Sequence, residues 1–293
     1  MRSPAKTALS CLRPCSYKKG RRTSRILKVA KKRTDNPIVT LTTDFGDGDY
    51  YVGAMKGVIL GIAPEVQLVD ISHQIPPQDV LAAAFVLRHA ACEFPPGTVH
   101  LAVVDPGVGT RRRPLALQSS GHLWVGPDNG LFSFVLDCAD SRVYEICRPD
   151  LGRSDLSSTF HGRDLFAPVA AHLCRGLDLA DVGSLVTDPV RLAESAPCKS
   201  ADRIAGHIVH IDGFGNLVSN IAAADIAPWG SALCIRLGDY VLTELCRTYE
   251  DVEPGAPLAL IGSAGLLEIA INCGHAARQL GVQRRATLVV EKL

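Results

Sequence analysis

The groups in this chain best suited to moving a proton or gripping hydroxyls are a histidine beside a glycine and several aspartates at the ends of apolar runs. The segment Ser158-Thr159-Phe160-His161-Gly162-Arg163-Asp164 precedes a helical pattern. A histidine there could be a general base or orient a water, and the glycine would let a ligand approach closely. The same residues also suit a plain helix entry, capped by Thr159 or Asp164, with His161 incidental. Both readings stand on these residues alone.

Four apolar runs finish in an aspartate at a turn: Thr42-Thr43-Asp44-Phe45-Gly46, Val69-Asp70-Ile71-Ser72-His73, Val104-Asp105-Pro106-Gly107-Val108-Gly109 and Pro127-Asp128-Asn129-Gly130. Ligands of open α/β sheets bind outside the carboxyl ends of the strands, so carboxylates gathered there mark a pocket. Asp44, among Gly46, Gly48 and Asp49, could grip a ribose diol, since a carboxylate accepts two hydroxyl protons. An Asp/Gly strand-to-helix turn is the competing reading. The Asp105–Gly109 loop lacks both the dinucleotide fingerprint and the Lys-Ser/Thr of a P-loop. Arg111–Arg113, which follow it, read as a solvated basic turn. His207 and His210 fall on opposite faces of an expected strand, Cys11 and Cys15 lack partners at zinc spacing, and no metal site is expected.

The elements that must hold these groups alternate. Ile38–Thr42, Val66–Val69, Val99–Val104 and Leu123–Val125 read as short buried strands, and the spacing predicts helices over Tyr51–Ile62, Val80–Cys92 and Asp164–Cys174. This predicts an N-terminal α/β domain over residues 37–188, with a mainly parallel sheet and helices on both faces. A Pro-containing linker is expected at 189–203. From 204 to 293 the runs Ile204–Ile211, Leu217–Ile221, Leu258–Ile261, Leu267–Asn272 and Ala286–Val290, with a hairpin at Gly238-Asp239, predict a smaller antiparallel β-barrel domain.

Charge is unevenly placed along the 293 residues. Met1–Thr34 holds 12 Lys or Arg and no acid, which leaves 19 basic against all 30 acidic residues in the rest, a net of −11. Residues 1–36 read as a flexible basic extension, with a transit peptide or an upstream start as rival readings. An acidic body argues against nucleic acid as partner, because such binding needs clustered Lys and Arg. It suits a small or cationic ligand. No run of about 18 apolar residues is present, which excludes a membrane-spanning helix. Ten cysteines scattered without CxxC pairs read as reduced thiols of a cytoplasmic protein.

Taken together, Thr42–Gly46, Val69–His73, Val104–Thr110, Pro127–Leu131, Ser158–Asp164, Asp212-Gly213-Phe214-Gly215-Asn216 and Leu267-Glu268-Ile269-Ala270 resemble the S-adenosyl-L-methionine (SAM) hydroxide adenosyltransferases, relatives of the fluorinases and chlorinases. The resemblance runs in order from about Pro37 to Leu293. It implies a homotrimer of two-domain subunits, with substrate between the N-domain of one and the C-domain of its neighbour. The implied reaction is hydrolysis of SAM to adenosine and L-methionine, with SAM as substrate and no cofactor. Carried over by motif, Asp70 and His161 would be catalytic, beside the attacking water, and Asp44 would hold the ribose hydroxyls near Phe160 and Gly162. Asn216 would face the adenine beside Asp212 and Phe214, and Ser263, Glu268 and the backbone near Ile271 would complete that wall.

The halogenases resembled carry Tyr at the position of His161, the fluorinase has Ser at Gly162, and its extra loop is absent from Pro114–Gly126, so hydrolysis fits better. One departure stands out. The hydrolases' water-handling set is Asp, Arg and His, with Arg seven residues after Asp, and counting from Asp70 this chain has Pro77. Arg88 or Arg163 would then have to substitute. The alternatives are a halide-using adenosyl transferase and a non-catalytic adenosine- or SAM-binding protein.

Overall fold

The computed structural model describes residues 36–193, 196–230 and 233–293, and the basic extension, Asn36 apart, lies outside them. The chain divides into two compact units, Met1–Leu192 and Ala193–Leu293.

The first unit contains β1 (Ile38–Thr43), α1 (Tyr51–Ile62), β2 (Gln67–Ser72), α2 (Val80–Ala91), β3 (Val99–Val103), β4 (Pro114–Ser119), β5 (His122–Pro127), β6 (Arg142–Ile146), α3 (Ala167–Cys174) and β7 (Gly183–Leu185). They form one seven-stranded sheet in the order β2-β1-β3-β5-β4-β6-β7. The β2, β1, β3 and β5 strands pair parallel, as βα alternation predicts. From β5 onward the pairing is antiparallel through β4, β6 and β7, so the sheet is mixed rather than mainly parallel. The strands β4, β6 and β7 are not among those the apolar runs predict. The first is joined to β5 by the two-residue turn Ser120-Gly121, both at positive φ, a geometry that matches hairpin twist without any strong turn dipeptide.

Each strand of the parallel half feeds both faces, because successive side chains alternate. Val39, Leu41, Val99, Leu101 and Val103 pack with Met55 and Ile59 of α1 and the apolar side of α3. On the other face Ala102, Leu115, Leu117 and Trp124 pack against Ala83, Ala84 and Leu87 of α2. Full burial of each Leu, Met or Ile contributes about 1.5–3 kcal/mol. Asp79 caps α2 by accepting from the Ala82 backbone N–H at 2.9 Å.

A buried polar cluster, Thr40, His100 and His122, interrupts the apolar interior. His100 Nδ1 lies 2.7 Å from Thr40 Oγ1, its Nε2 lies 3.2 Å from His122 Nδ1, and its ring stacks on Trp124. Burial, assisted by His122, pulls the His100 pKa down to about 3.

The second unit holds β8 (Cys198–Lys199), β9 (Arg203–Ile211), β10 (Leu217–Ala222), α4 (Ala223–Ile226), β11 (Leu233–Leu237), β12 (Tyr240–Leu242), β13 (Leu245–Cys246), β14 (Pro257–Ile261), β15 (Leu266–Ile271), α5 (Ala276–Gln279) and β16 (Thr287–Lys292). They make a nine-stranded sheet ordered β12-β11-β16-β9-β10-β15-β14-β13, with β8 added on β9. All pairs are antiparallel except β13 with β14. Ile204, Ile208, Leu217, Ile221, Leu233, Ile235, Leu267, Ile269, Leu288 and Val290 form its core. Both β8 and Arg203 fall inside the stretch read as linker. No described helix is long and apolar enough to cross a membrane.

Candidate active site

Three side chains from two loops meet beyond the carboxyl end of β3. Asp105 lies just past β3, and Arg112 follows it seven residues later. Arg112 grips the Asp105 carboxylate through Nε, 2.9 Å from Oδ2, and through Nη2. The same Nη2 donates to His161 Nδ1 at 2.9 Å. Only 9% of the Arg112 side chain and 4% of Asp105 are exposed, and the guanidinium lies over the Phe166 ring. Arg112 is therefore a buried, committed group. The reading of Arg111–Arg113 as a solvated turn is corrected for Arg112, and Arg113 is also engaged, with Asp128 and Asp188.

Local chain geometry brings these loops together. Gly109 sits at φ +75, and a Cβ there would lie 2.2 Å from the Ser158 carbonyl oxygen, so only glycine lets the Asp105 loop reach the Ser158–His161 segment. That segment is tied by buried Asp164, which accepts from the Ser157 backbone N–H at 2.9 Å and from Arg163. The helix opens with a π-type turn, Gly162–Phe166, before α3. Such turns recur at functional sites. It places His161 on the entry corner, and the expected cap by Thr159 or Asp164 is not formed there.

Protonation of His161 follows from its neighbour. A guanidinium has only donors, so the Nδ1 it contacts must carry a lone pair, and in the neutral ring the proton sits on Nε2. Burial and the Arg112 charge lower the His161 pKa below the ordinary histidine value, against a smaller pull from Asp105 and Asp164. His161 thus offers an N–H toward a ligand.

The other strand-end carboxylates are placed differently. Asp44 accepts from the Gln78 backbone N–H at 2.7 Å. Asp70, with a 40% exposed side chain, contacts Lys56 Nζ at 2.5 Å and lies 3.0 Å from His73 Nε2. Burial raises its pKa, but the bonds to Lys56 and His73 outweigh it and hold the carboxyl low. It makes no bond to His161. Asp128 is buried and fixes Arg113 and the Val190 backbone N–H, a structural task. Phe160 and Gly162 are buried, with Phe160 packed edge-on to Phe45 and Tyr51.

In the second unit, the turn before β10 is built on Asp212, whose Oδ1 accepts from the Phe214 and Asn216 backbone N–H groups. Its Oδ2 accepts from Asn216 Nδ2 at 3.0 Å. Asn216 Nδ2 also points at Tyr249 Oη, 3.4 Å away, and Tyr249 donates to Glu268 Oε1 at 2.9 Å. Burial, with Asp212 nearby, raises the Glu268 pKa. Burial and the Glu268 bond push Tyr249 up to about 12. Phe214 is 78% exposed, Ser263 is exposed in the turn between β14 and β15, and Ile271 is buried. Asp212, Asn216 and Glu268 are thus joined in one network, and Tyr249, the link between them, was not among the residues expected.

Comparison with known proteins accounts for both units. The SAM hydroxide adenosyltransferase N-terminal domain matches residues 39–183, and the corresponding C-terminal domain matches 206–289. The chain belongs to the SAM hydroxide adenosyltransferase family. It is 40% identical over 253 residues to an (R)-S-adenosyl-L-methionine hydrolase of Salinispora tropica, covering 84% of this chain and 94% of that one. For the hydrolase of the same name from Thermus thermophilus the identity is 38%, over 84% of this chain and 96% of the other. A fluorinase of an Actinoplanes species is 30% identical over 88% and 98% of the two chains. The crystal structure of a conserved protein from Thermotoga maritima superposes with a TM-score of 0.81 at 35% identity, covering 86% of this chain and 99% of that one.

The Asp-Arg-His set of the SAM hydroxide adenosyltransferases, sought from Asp70, met Pro77. Counted from Asp105 the same seven-residue step lands on Arg112, which touches His161. Asp105, Arg112 and His161 are thus joined through one guanidinium. Arg163 need not substitute, being engaged with Asp164 and the Phe160 ring. The Asp105–Arg112 spacing was the available signal; the apparent surface character of three consecutive arginines concealed it.

Proposed function

We propose that this chain hydrolyses S-adenosyl-L-methionine to adenosine and L-methionine. The observation that carries this reading is the Arg112 contact joining Asp105 to His161, in a chain 35–40% identical to several proteins named as (R)-S-adenosyl-L-methionine hydrolases.

Water attacks ribose C5′ in line with the sulfonium, and the C5′–S bond breaks with its electron pair retained by sulfur. Methionine leaves as a neutral thioether, so its departure needs no acid. The protein has to hold the ribose, orient the water and accept one proton. His161, with Nδ1 filled by Arg112, donates from Nε2–H to the water oxygen. A neutral ring in that tautomer has no free site for a second proton, so His161 orients rather than acts as base. Asp105 keeps lone pairs beyond those used by Arg112. It takes the proton from water and passes it to solvent.

Asp44 fits the ribose hydroxyls, with Phe160 and Gly162 packing beneath the reacting centre. Asp212, Phe214, Asn216, Ser263, Glu268 and Ile271 form the adenine side. The reading extends to the family's finer architecture: domains at 37–188 and 204–293 about a 189–203 linker, a C-terminal β-barrel, a cytoplasmic homotrimer, and substrate held between the N-domain of one subunit and the C-domain of the next. It involves no nucleic acid partner and no cofactor.

Incubating the purified chain with SAM in heavy-oxygen water, with and without chloride, tests it. Adenosine labelled at the 5′ oxygen is expected in both. A 5′-chlorinated nucleoside, or nucleoside binding without turnover, would overturn hydrolysis. Light scattering at three times the chain mass checks the trimer.

A further inference from the structure

The Asp44 turn is cross-linked to the loop that leads from β2 into α2, and His73 is the centre of those links. The His73 side chain is almost wholly buried. Its Nδ1 lies 2.8 Å from Thr43 Oγ1, and its carbonyl oxygen accepts from the Gly46 backbone N–H at 2.8 Å. His73 therefore holds the chain on both sides of Asp44. Its Nε2 lies 3.0 Å from Asp70 Oδ1, within ion-pair distance but off hydrogen-bond alignment. An Nε2–H toward that carboxylate leaves Nδ1 to accept from the Thr43 hydroxyl, whose oxygen in turn accepts from the Phe45 backbone N–H.

Two further bonds complete the clamp. Gln74 Nε2 donates to Asp47 at 2.5 Å, and the Gln78 N–H donates to Asp44 Oδ2. Gln78 makes its bond from φ +64, a conformation costly for a residue with a Cβ and sustained only where the surroundings fix it. A single carboxylate is thus restrained by one backbone donor and by anchors on either side.

We propose that His73 is a positioning residue that sets the Asp44 carboxylate for the 2′,3′-diol of the nucleoside, with Asp70 orienting His73 as part of a Thr43–His73–Asp70–Lys56 relay. This rests on the reading of the site as an adenosyl-binding one. It gives Asp70 a task at a distance from the attacking water.

The test is the ratio of 2′-deoxyadenosine to adenosine dissociation constants, measured by calorimetry on the full chain. Wild type is expected to prefer adenosine by about tenfold, the worth of one or two hydroxyl bonds. In His73→Ala the ratio falls to about threefold or less, while His73→Asn, which keeps a polar group at the Nδ1 position, restores most of it. Asp70→Asn, at an exposed side chain, gives an intermediate fall and decides the matter if His73→Ala does not fold. An unchanged ratio in a folded His73→Ala or in Asp70→Asn overturns the positioning role alone. A wild type that binds neither nucleoside overturns the adenosyl-site reading beneath it.

Discussion

Arg112 donates to His161 Nδ1 at 2.9 Å, and that contact determines which nitrogen of the imidazole carries the proton. A ring that sequence alone allows as a base becomes a fixed donor, because its only lone pair is already occupied. In the proposed mechanism the carboxylate on the far side of the guanidinium, Asp105, is the proton acceptor.

Replacing Arg112 therefore removes both the lock and a neighbouring charge. Arg112→Met is expected to lower kcat by about a hundredfold or more, in the range seen for loss of a preorganised polar group, with adenosine affinity changed far less. Steady-state kinetics beside nucleoside calorimetry separates the two. Equal losses in both would mean that Arg112 holds substrate rather than the water-handling ring.

The His161 titration has a definite sign. Burial and Arg112 lower its pKa, so its neutral form persists below the ordinary histidine value and the acid limb of kcat should lie below about pH 6.5. Removing the Arg112 charge moves the pKa upward. Imidazole resonances followed by NMR through pH 4–8 in wild type and Arg112→Met check both statements, and a downward move in the variant contradicts the coupling.

Asp105 and Asp70 should separate sharply. Asp105→Asn removes the proposed proton acceptor and is expected to cost about a hundredfold or more in kcat. Asp70→Asn, which loosens only the contacts with Lys56 and His73, should cost less than about tenfold. Comparing the two variants at saturating SAM decides between the carboxylates, and a larger loss at Asp70 would return it to the water.

Buried His100 links stability to pH. With a folded pKa near 3 against about 6.5 in the unfolded chain, the unfolded state binds the extra proton throughout that interval. Stability is therefore complete above pH 6.5 and declines as pH falls toward 3, by up to about 5 kcal/mol. Urea unfolding of wild type and His100→Gln at pH 7 and pH 4.5 reads this: the variant should lose less stability between the two pH values. An equal loss would place the acid sensitivity elsewhere.

Much of this protein is legible in its residues. The helix expected at Tyr51–Ile62 has those bounds in the structure, because apolar periodicity and a burial stripe are properties of a local segment. Family membership, the reaction class and the importance of His161 likewise come from ordered motifs that a linear reading can align. The spacing of Asp105 and Arg112 lies in the sequence as well, but nothing local distinguishes it from Asp70 and its own surroundings.

Tertiary structure decided which carboxylate is linked to the histidine, through Arg112. Asp44, Asp70, Asp105 and Asp128 all follow apolar runs, yet each is claimed by a different partner: the Gln78 backbone, Lys56 with His73, Arg112, and Arg113. Some of those partners are local and some are distant in the chain, and the link onward from Arg112 to His161 depends on strand order and on the close approach at Gly109. The sequence determined the kinds of group available and the strand ends that carry them. Their chemical roles depend on long-range pairing, such as the 49 residues between Arg112 and His161, and such pairing exists only once the sheet has set the loops side by side.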